Sequence, residues 1–218
     1  MLKRFKEMAV SSTGLSVLGG VLLAASNGPF VQVWLHGKMG WPPVNDLLLG
    51  LWLVVGTTAR MHILLAGATK RFGFLRYVYT VEGMAFVGLN ILLYRFAGIT
   101  LMLALSIVCL SMCSLPYALR RTHRYCDVDW RSLAGWYRPT WELAWRFLPV
   151  VAAAWWLARA LPPIWQLILT AAVAGPWGLI VFLRYGLSRA LQSELASKMP
   201  SRLRPVFNVL LPLEARGA

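Results

Sequence analysis

Four strongly polar side chains sit inside the apolar stretches of this chain: Arg60, His62, Glu82 and Asn90. A charge in hydrocarbon is costly, so each such group stands for a function or a partner. Arg60 lies eleven residues before the basic turn at Arg71, and Glu82 lies eleven after it. Helices rise about 1.5 Å per residue, so in an antiparallel hairpin the two charges fall at similar depth. The spacing therefore predicts an Arg60–Glu82 ion pair, because burial penalises each partner alone. Such a pair either lines a polar cavity for an anionic substrate or coupling ion, or simply fixes the hairpin. His62 is about 200° around the helix from Arg60, so it is expected to face elsewhere, as a satisfied or interfacial histidine. Glu82, Phe86 and Asn90 share one helix face. That face suits a substrate moving along it, or an Asn90 hydrogen bond to a neighbouring helix.

The remaining chemistry is sparse. Lys70, Arg71 and Arg76 form a basic turn, which is a topology signal or a phosphate contact. There is no Gly-x-Ser-x-Gly, His-Glu-x-x-His or phosphate-binding Gly-rich loop. His123, Asp127 and Asp129 lie in a basic connection and are expected to be solvated. Cys109 and Cys113 share an apolar helix face, where packing is the expected role, and Cys126 lies in a loop. No metal, cofactor or catalytic residue is expected.

The elements that must position these groups follow from composition. The chain is 58% hydrophobic and only 14% charged, against roughly 25% charged residues in soluble domains. A net charge of +14 raises nucleic acid as a partner, but the basic residues lie in short clusters between apolar runs, so nucleic acid is not expected. Six apolar runs have the length of a membrane span: 12–35, 44–69, 75–94, 98–119, 143–161 and 164–185. The segment 120–142 reads as a surface connection containing a short helix, and 186–218 as a basic tail. Asn27-Gly28-Pro29 is expected to kink or break the first run. That run also resembles a signal peptide with a site at Ala24-Ala25-Ser26, but it resumes apolar at Phe30, so an uncleaved helix is expected. Gly50, Gly56, Gly83 and Gly88 are expected to let helices approach closely.

Lys and Arg cluster on alternate connections. Lys3, Arg4 and Lys6 precede the first run; Lys70, Arg71 and Arg76 follow the second; five arginines follow the fourth; and the tail is basic. The intervening connections carry one each: Lys38, Arg95 and Arg159. This predicts an all-α, integral-membrane six-helix bundle with both termini cytoplasmic. Trp41, Trp130, Trp136, Tyr137, Trp141 and Trp165 fall at predicted interfaces.

Several stretches resemble the C-terminal half of bacterial polysaccharide, or O-antigen, flippases of the multidrug/oligosaccharidyl-lipid/polysaccharide exporter superfamily. They are Pro29-Phe-Val-Gln-Val-Trp-Leu-His-Gly37, Leu65-Ala-Gly-Ala-Thr-Lys-Arg71, Tyr79-Thr-Val-Glu-Gly-Met-Ala-Phe-Val-Gly-Leu-Asn90, the turn Arg95-Phe-Ala-Gly-Ile-Thr100, and Ser114-Leu-Pro-Tyr117 closing the fourth helix. The resemblance covers 8–120, and the last two helices fit by hydropathy and spacing. It implies translocation of a lipid-linked oligosaccharide across the bacterial inner membrane, by two six-helix bundles alternating around a cationic cavity. Arg60 would then attract a diphosphate or acidic sugar, and Glu82 would hold Arg60 or couple an ion. Asn90 would line the path, and Lys70, Arg71 and Arg76 would meet the lipid diphosphate at the cytoplasmic entrance. Six helices are one lobe of the twelve that the resemblance implies. The expected partners are therefore the substrate, membrane lipids, and a separate N-terminal half or a second copy. Two other readings stay open: a membrane enzyme of lipid or cell-envelope metabolism using His62 with the His123/Asp127 loop, and a non-catalytic scaffold.

Overall fold

The computed structural model describes residues 2–198, except 37, 39 and 71. The described residues form helices and no strand: α1 (Leu2–Trp34), α2 (Pro43–Ala68), α3 (Leu75–Met112), α4 (Ser114–Cys126), α5 (Trp130–Trp136), α6 (Arg138–Ala158), α7 (Pro163–Val181) and α8 (Arg189–Lys198), with a π-helical turn at Phe182–Gly186. Four segments are long and apolar enough to cross a membrane: Leu2–Trp34, Pro43–Leu65, Gly98–Cys126 and Pro163–Gly186. The chain is an all-helical membrane protein.

Helix α1 begins ten residues before the apolar run, because 2–11 contain no Gly or Pro to stop it. It also runs unbroken through Pro29, contrary to the expected break. The segment is held from outside: Asn27 Nδ2 donates to Asp46 Oδ1 at 2.6 Å, and Gly28 lies so close that a Cβ there would sit 2.9 Å from Asp46 Oδ2. Proline removes one backbone donor, and these neighbours fix the path of the chain around that loss.

Pro42-Pro43 starts α2, with proline pre-set for the first turn. Helices α1 and α2 run antiparallel, as Asn27–Asp46, Thr13–Thr58 and Phe5–His62 all attest. They touch backbone to backbone at Gly20 and Gly50: a Cβ on Gly50 would fall 2.6 Å from the Gly20 carbonyl oxygen. The expected role of glycine in close packing holds at Gly50 only. Gly56 meets Leu110 at an ordinary 3.7 Å, and Gly83 and Gly88 have nothing within 4 Å.

Helix α3 is two antiparallel arms. Gly98, at φ 53° and ψ −131°, turns the chain where an L side chain would be strained. The proof of reversal is a contact between Glu82 and Ser114, 32 residues apart with Gly98 midway. The helix then breaks at Cys113. The ring of Pro116 would clash with the carbonyl four residues back, that of Met112. Ser114-Leu-Pro-Tyr117 thus opens a new helix, α4, instead of closing one.

The tight core lies between α1, α6 and α7, where Val17, Leu18, Leu143, Phe147, Val151, Ala174 and Val181 are buried. Helix α5 is the short helix expected in 120–142; five of its seven residues are exposed, and one edge packs on the bundle. Its Leu133 and Trp136 are buried against Val10 of α1. Trp136, at 5% exposure, is therefore a packing residue. The tail forms α8 over its first part, tied to α1 through Arg4 and Glu194; its remainder, 199–218, lies outside the described residues.

Candidate functional site

The hairpin of α2 and the first arm of α3 carries Arg60 and Glu82, but they form no ion pair with each other. Glu82 Oε2 accepts from the backbone N–H of Ser114 at 3.1 Å and also from the Ser114 hydroxyl. The break at Cys113 leaves the first amides of α4 without intrahelical acceptors, and the partial positive charge there suits a carboxylate. Glu82 is thus a cap on α4. Arg60 is exposed and forms no ion pair among the described residues. Residue spacing did not determine the direction in which either side chain faces around its helix.

The other predicted residues are scattered. Asn90 Nδ2 donates to Phe86 O of its own helix at 2.7 Å, not to a neighbour. Arg76 is exposed and lies over Tyr77, 4.8 Å from the ring centroid, donating to its hydroxyl at 2.9 Å. Lys70 is exposed at a left-handed turn position, φ 53°. Arg71 lies outside the described residues.

His62 is fully enclosed, at 0% exposure, as is its partner Thr122. Its Nδ1 shares a hydrogen bond with Thr122 Oγ1 at 2.8 Å, and its Nε2 one with Tyr137 Oη at 2.5 Å. Phe5 closes the site edge-on at 5.8 Å. One imidazole thus braces α1, α2, α4 and the α5–α6 junction, as the expectation of a satisfied histidine required. Burial pushes the Tyr137 phenol up to about 12, with Thr13 partly opposing it, so the phenol stays neutral. Tyr137 and Thr13 also line a mostly apolar cavity of about 390 Å³ between α1, α2, α4, α5 and α6, with Thr58, Leu119 and Trp141. Thr140 Oγ1 is buried in that wall without a hydrogen-bond partner.

The polar groups of the 120–142 segment build turns. His123 Nδ1 bonds Val128 O at 2.5 Å and stacks on Trp130 at 4.6 Å. Asp127 adopts a left-handed conformation at the end of α4, and Asp129 caps α5 through Arg131 N at 3.1 Å. Among the described residues, no three His, Cys, Asp or Glu side chains converge as a metal site would require.

Sequence reasoning overlooked Asp46. It is 6% exposed at the opposite end of the bundle from His62 and accepts from Asn27 at 2.6 Å and Trp41 Nε1 at 2.5 Å. Beside it, Asn45 Oδ1 accepts from Thr100 at 2.7 Å, tying α2 to the turn at Gly98. The signal was present in Trp41-Pro-Pro-Val-Asn-Asp46, an acid in the first turn of a proline-started helix.

No protein-family model, curated protein or solved structure matches the chain.

Proposed function

We propose that this chain is one six-span lobe of a flippase that moves a lipid-linked oligosaccharide across the bacterial cytoplasmic membrane by alternating access. Both termini are on the cytoplasmic side, and the second lobe comes from a second copy or a separately encoded half. The observation that carries the reading is Arg60, an exposed arginine without an ion pair among the described residues, on a helix apolar enough to span the membrane. Such a group needs an anion or water on the far side of its face. A translocation cavity between two lobes supplies both.

Two further features support it. The Glu82–Ser114 contact sets the first arm of α3 alongside the span Gly98–Cys126, the arrangement that neighbouring spans of one lobe require. That arm also leaves Met84, Ile91, Leu92 and Phe96 more than 70% exposed, an apolar face open to lipid or to a second lobe. In this reading Arg60 attracts the diphosphate or an acidic sugar, and Lys70 and Arg76 meet the headgroup at the cytoplasmic entrance. Glu82 holds the α3–α4 break in shape.

The test is transport of a fluorescent lipid-linked disaccharide in proteoliposomes carrying the chain with its second lobe. Arg60→Ala should slow translocation about tenfold or more while leaving the thermal transition unchanged. Transport at the wild-type rate in Arg60→Ala sinks the cavity role.

A further inference from the structure

We propose that α4 and the turn before α3 form a binding site for a lipid headgroup carrying a phosphomonoester or diphosphate. The pocket has a volume of about 390 Å³ and is walled by Gly73, Phe74, Tyr117, Arg120, Arg121, Arg124 and Tyr125. The five α4 residues recur at helical spacing, so they form one stripe. The opposite face of α4 is occupied: Ala118 and Thr122 are buried, and Leu115 and Leu119 line the inner cavity. The site stands on the membrane assignment and does not depend on the flippase reading.

Three observations separate this stripe from an ordinary solvated basic face. First, Arg121 is fixed in place. Its Nη1 donates to Phe72 O at 3.2 Å and to Tyr117 Oη at 3.0 Å, and Tyr117 Oη donates to the same carbonyl at 3.4 Å. These bonds leave Nε and Nη2, one edge of the guanidinium fork, to face a ligand. Second, the turn is cut to fit it. Gly73 sits at φ 50°, and a Cβ there would come within 2.9 Å of Arg121 Nη1, so the residue that frees the conformation also makes room for the guanidinium. Third, the positive charge is uncompensated. Arg120 and Arg124 are exposed one turn apart, and no carboxylate lies within 4 Å of any of the three arginines among the described residues. Of the carboxylates close in sequence, Asp129 is spent on capping α5. Asp127, beyond the end of α4, forms no ion pair among the described residues.

Charge and geometry select the ligand. Three planar cations around one pocket match a dianion with several equatorial oxygens better than the single charge of a phosphodiester. Tyr117, Phe74 and Tyr125 flank the cations as aromatic residues flank headgroups at a membrane interface. The pocket lies at the end of the apolar segment Gly98–Cys126, so a headgroup there keeps its tails in hydrocarbon. A lipid is therefore the ligand in preference to a soluble phosphate.

Full-length protein in phosphatidylcholine nanodiscs is titrated with short-chain phosphatidic acid, short-chain phosphatidylglycerol and inorganic pyrophosphate at fixed ionic strength, with binding read by native mass spectrometry. Phosphatidic acid should bind about tenfold or more tightly than phosphatidylglycerol. The double variant Arg120→Gln/Arg124→Gln should remove that preference, and Arg120→Lys/Arg124→Lys should restore only part of it, because lysine lacks the fork. Equal binding of the two lipids means generic surface charge and overturns the proposal. So does wild-type affinity in the double glutamine variant. Pyrophosphate binding as tightly as phosphatidic acid overturns the lipid assignment. If the double variant fails to fold, Arg124→Gln alone is read in the same way.

Discussion

The two sides of this bundle are closed in different ways. On the α1–α6–α7 side, Leu143 and Phe147 are wholly buried and interlock with Val17, Leu18 and Val181. On the other side, the first arm of α3, held to the start of α4 by Glu82, turns Met84, Ile91 and Phe96 outward. Polar contacts follow the same division. His62 ties four elements together inside, whereas Arg60, two residues earlier, faces out. The first side holds the shape and the second is free to meet something else. A membrane protein can afford this contrast, because lipid covers apolar faces that water would not.

Substitutions on the two sides should therefore differ sharply. Phe147→Ala removes a ring with no exposure and should lower stability by about 3–5 kcal/mol. Met84→Ala should change it by less than about 0.5 kcal/mol. Detergent unfolding curves compare them directly, and equal losses would erase the distinction. Glycines give the next contrast. Gly50→Val drives a side chain into the Gly20 carbonyl and should cost about 1–3 kcal/mol. Gly88→Ala, with open space around it, should stabilise by about 0.5–1 kcal/mol through helix propensity.

The polar brace gives a smaller and pH-dependent effect. Tyr137→Phe leaves one nitrogen of a buried imidazole without its partner and should cost about 1–3 kcal/mol. The phenol's folded value is raised from 10.0 to about 12. The neutral form is therefore favoured by folding, so its contribution is complete below pH 10 and is lost as pH rises towards 12. Wild-type protein should lose stability over that window, and Tyr137→Phe should lose measurably less. Parallel alkaline limbs would show that the phenol is not held this way. The least effect on stability is expected for Arg60→Gln, within about 0.5 kcal/mol, because Arg60 forms no ion pair among the described residues.

Much of this architecture was legible in the sequence. The apolar runs located the helices, and Gly98 marked the turn between the third and fourth. The charge on Glu82 announced a partner, but its identity did not follow from spacing. Residue separation fixes depth in a hairpin, while the facing direction depends on how neighbouring helices pack. Pro116 held the missing clue, since breaking the helix at Cys113 is what exposes the amide that Glu82 caps. The inward turn of Trp136 was illegible for a different reason. A tryptophan suits an interface and a core equally well, and only the docking of α5 on Val10 decides between them. The basic stripe on α4 read as a topology signal because the fit between Gly73 and Arg121 exists only in three dimensions.

The contact between Glu82 and Ser114 also bears on how the chain is made. During synthesis Glu82 emerges first, and the hydrogen-bond donors it meets among the described residues lie 32 residues later in the sequence. A lone carboxylate entering hydrocarbon is strongly disfavoured. The first arm of α3 should therefore wait at the translocon until Ser114 has left the ribosome, and the two arms should partition into the bilayer together as one hairpin. A chain halted just after Gly98 would leave that arm uninserted.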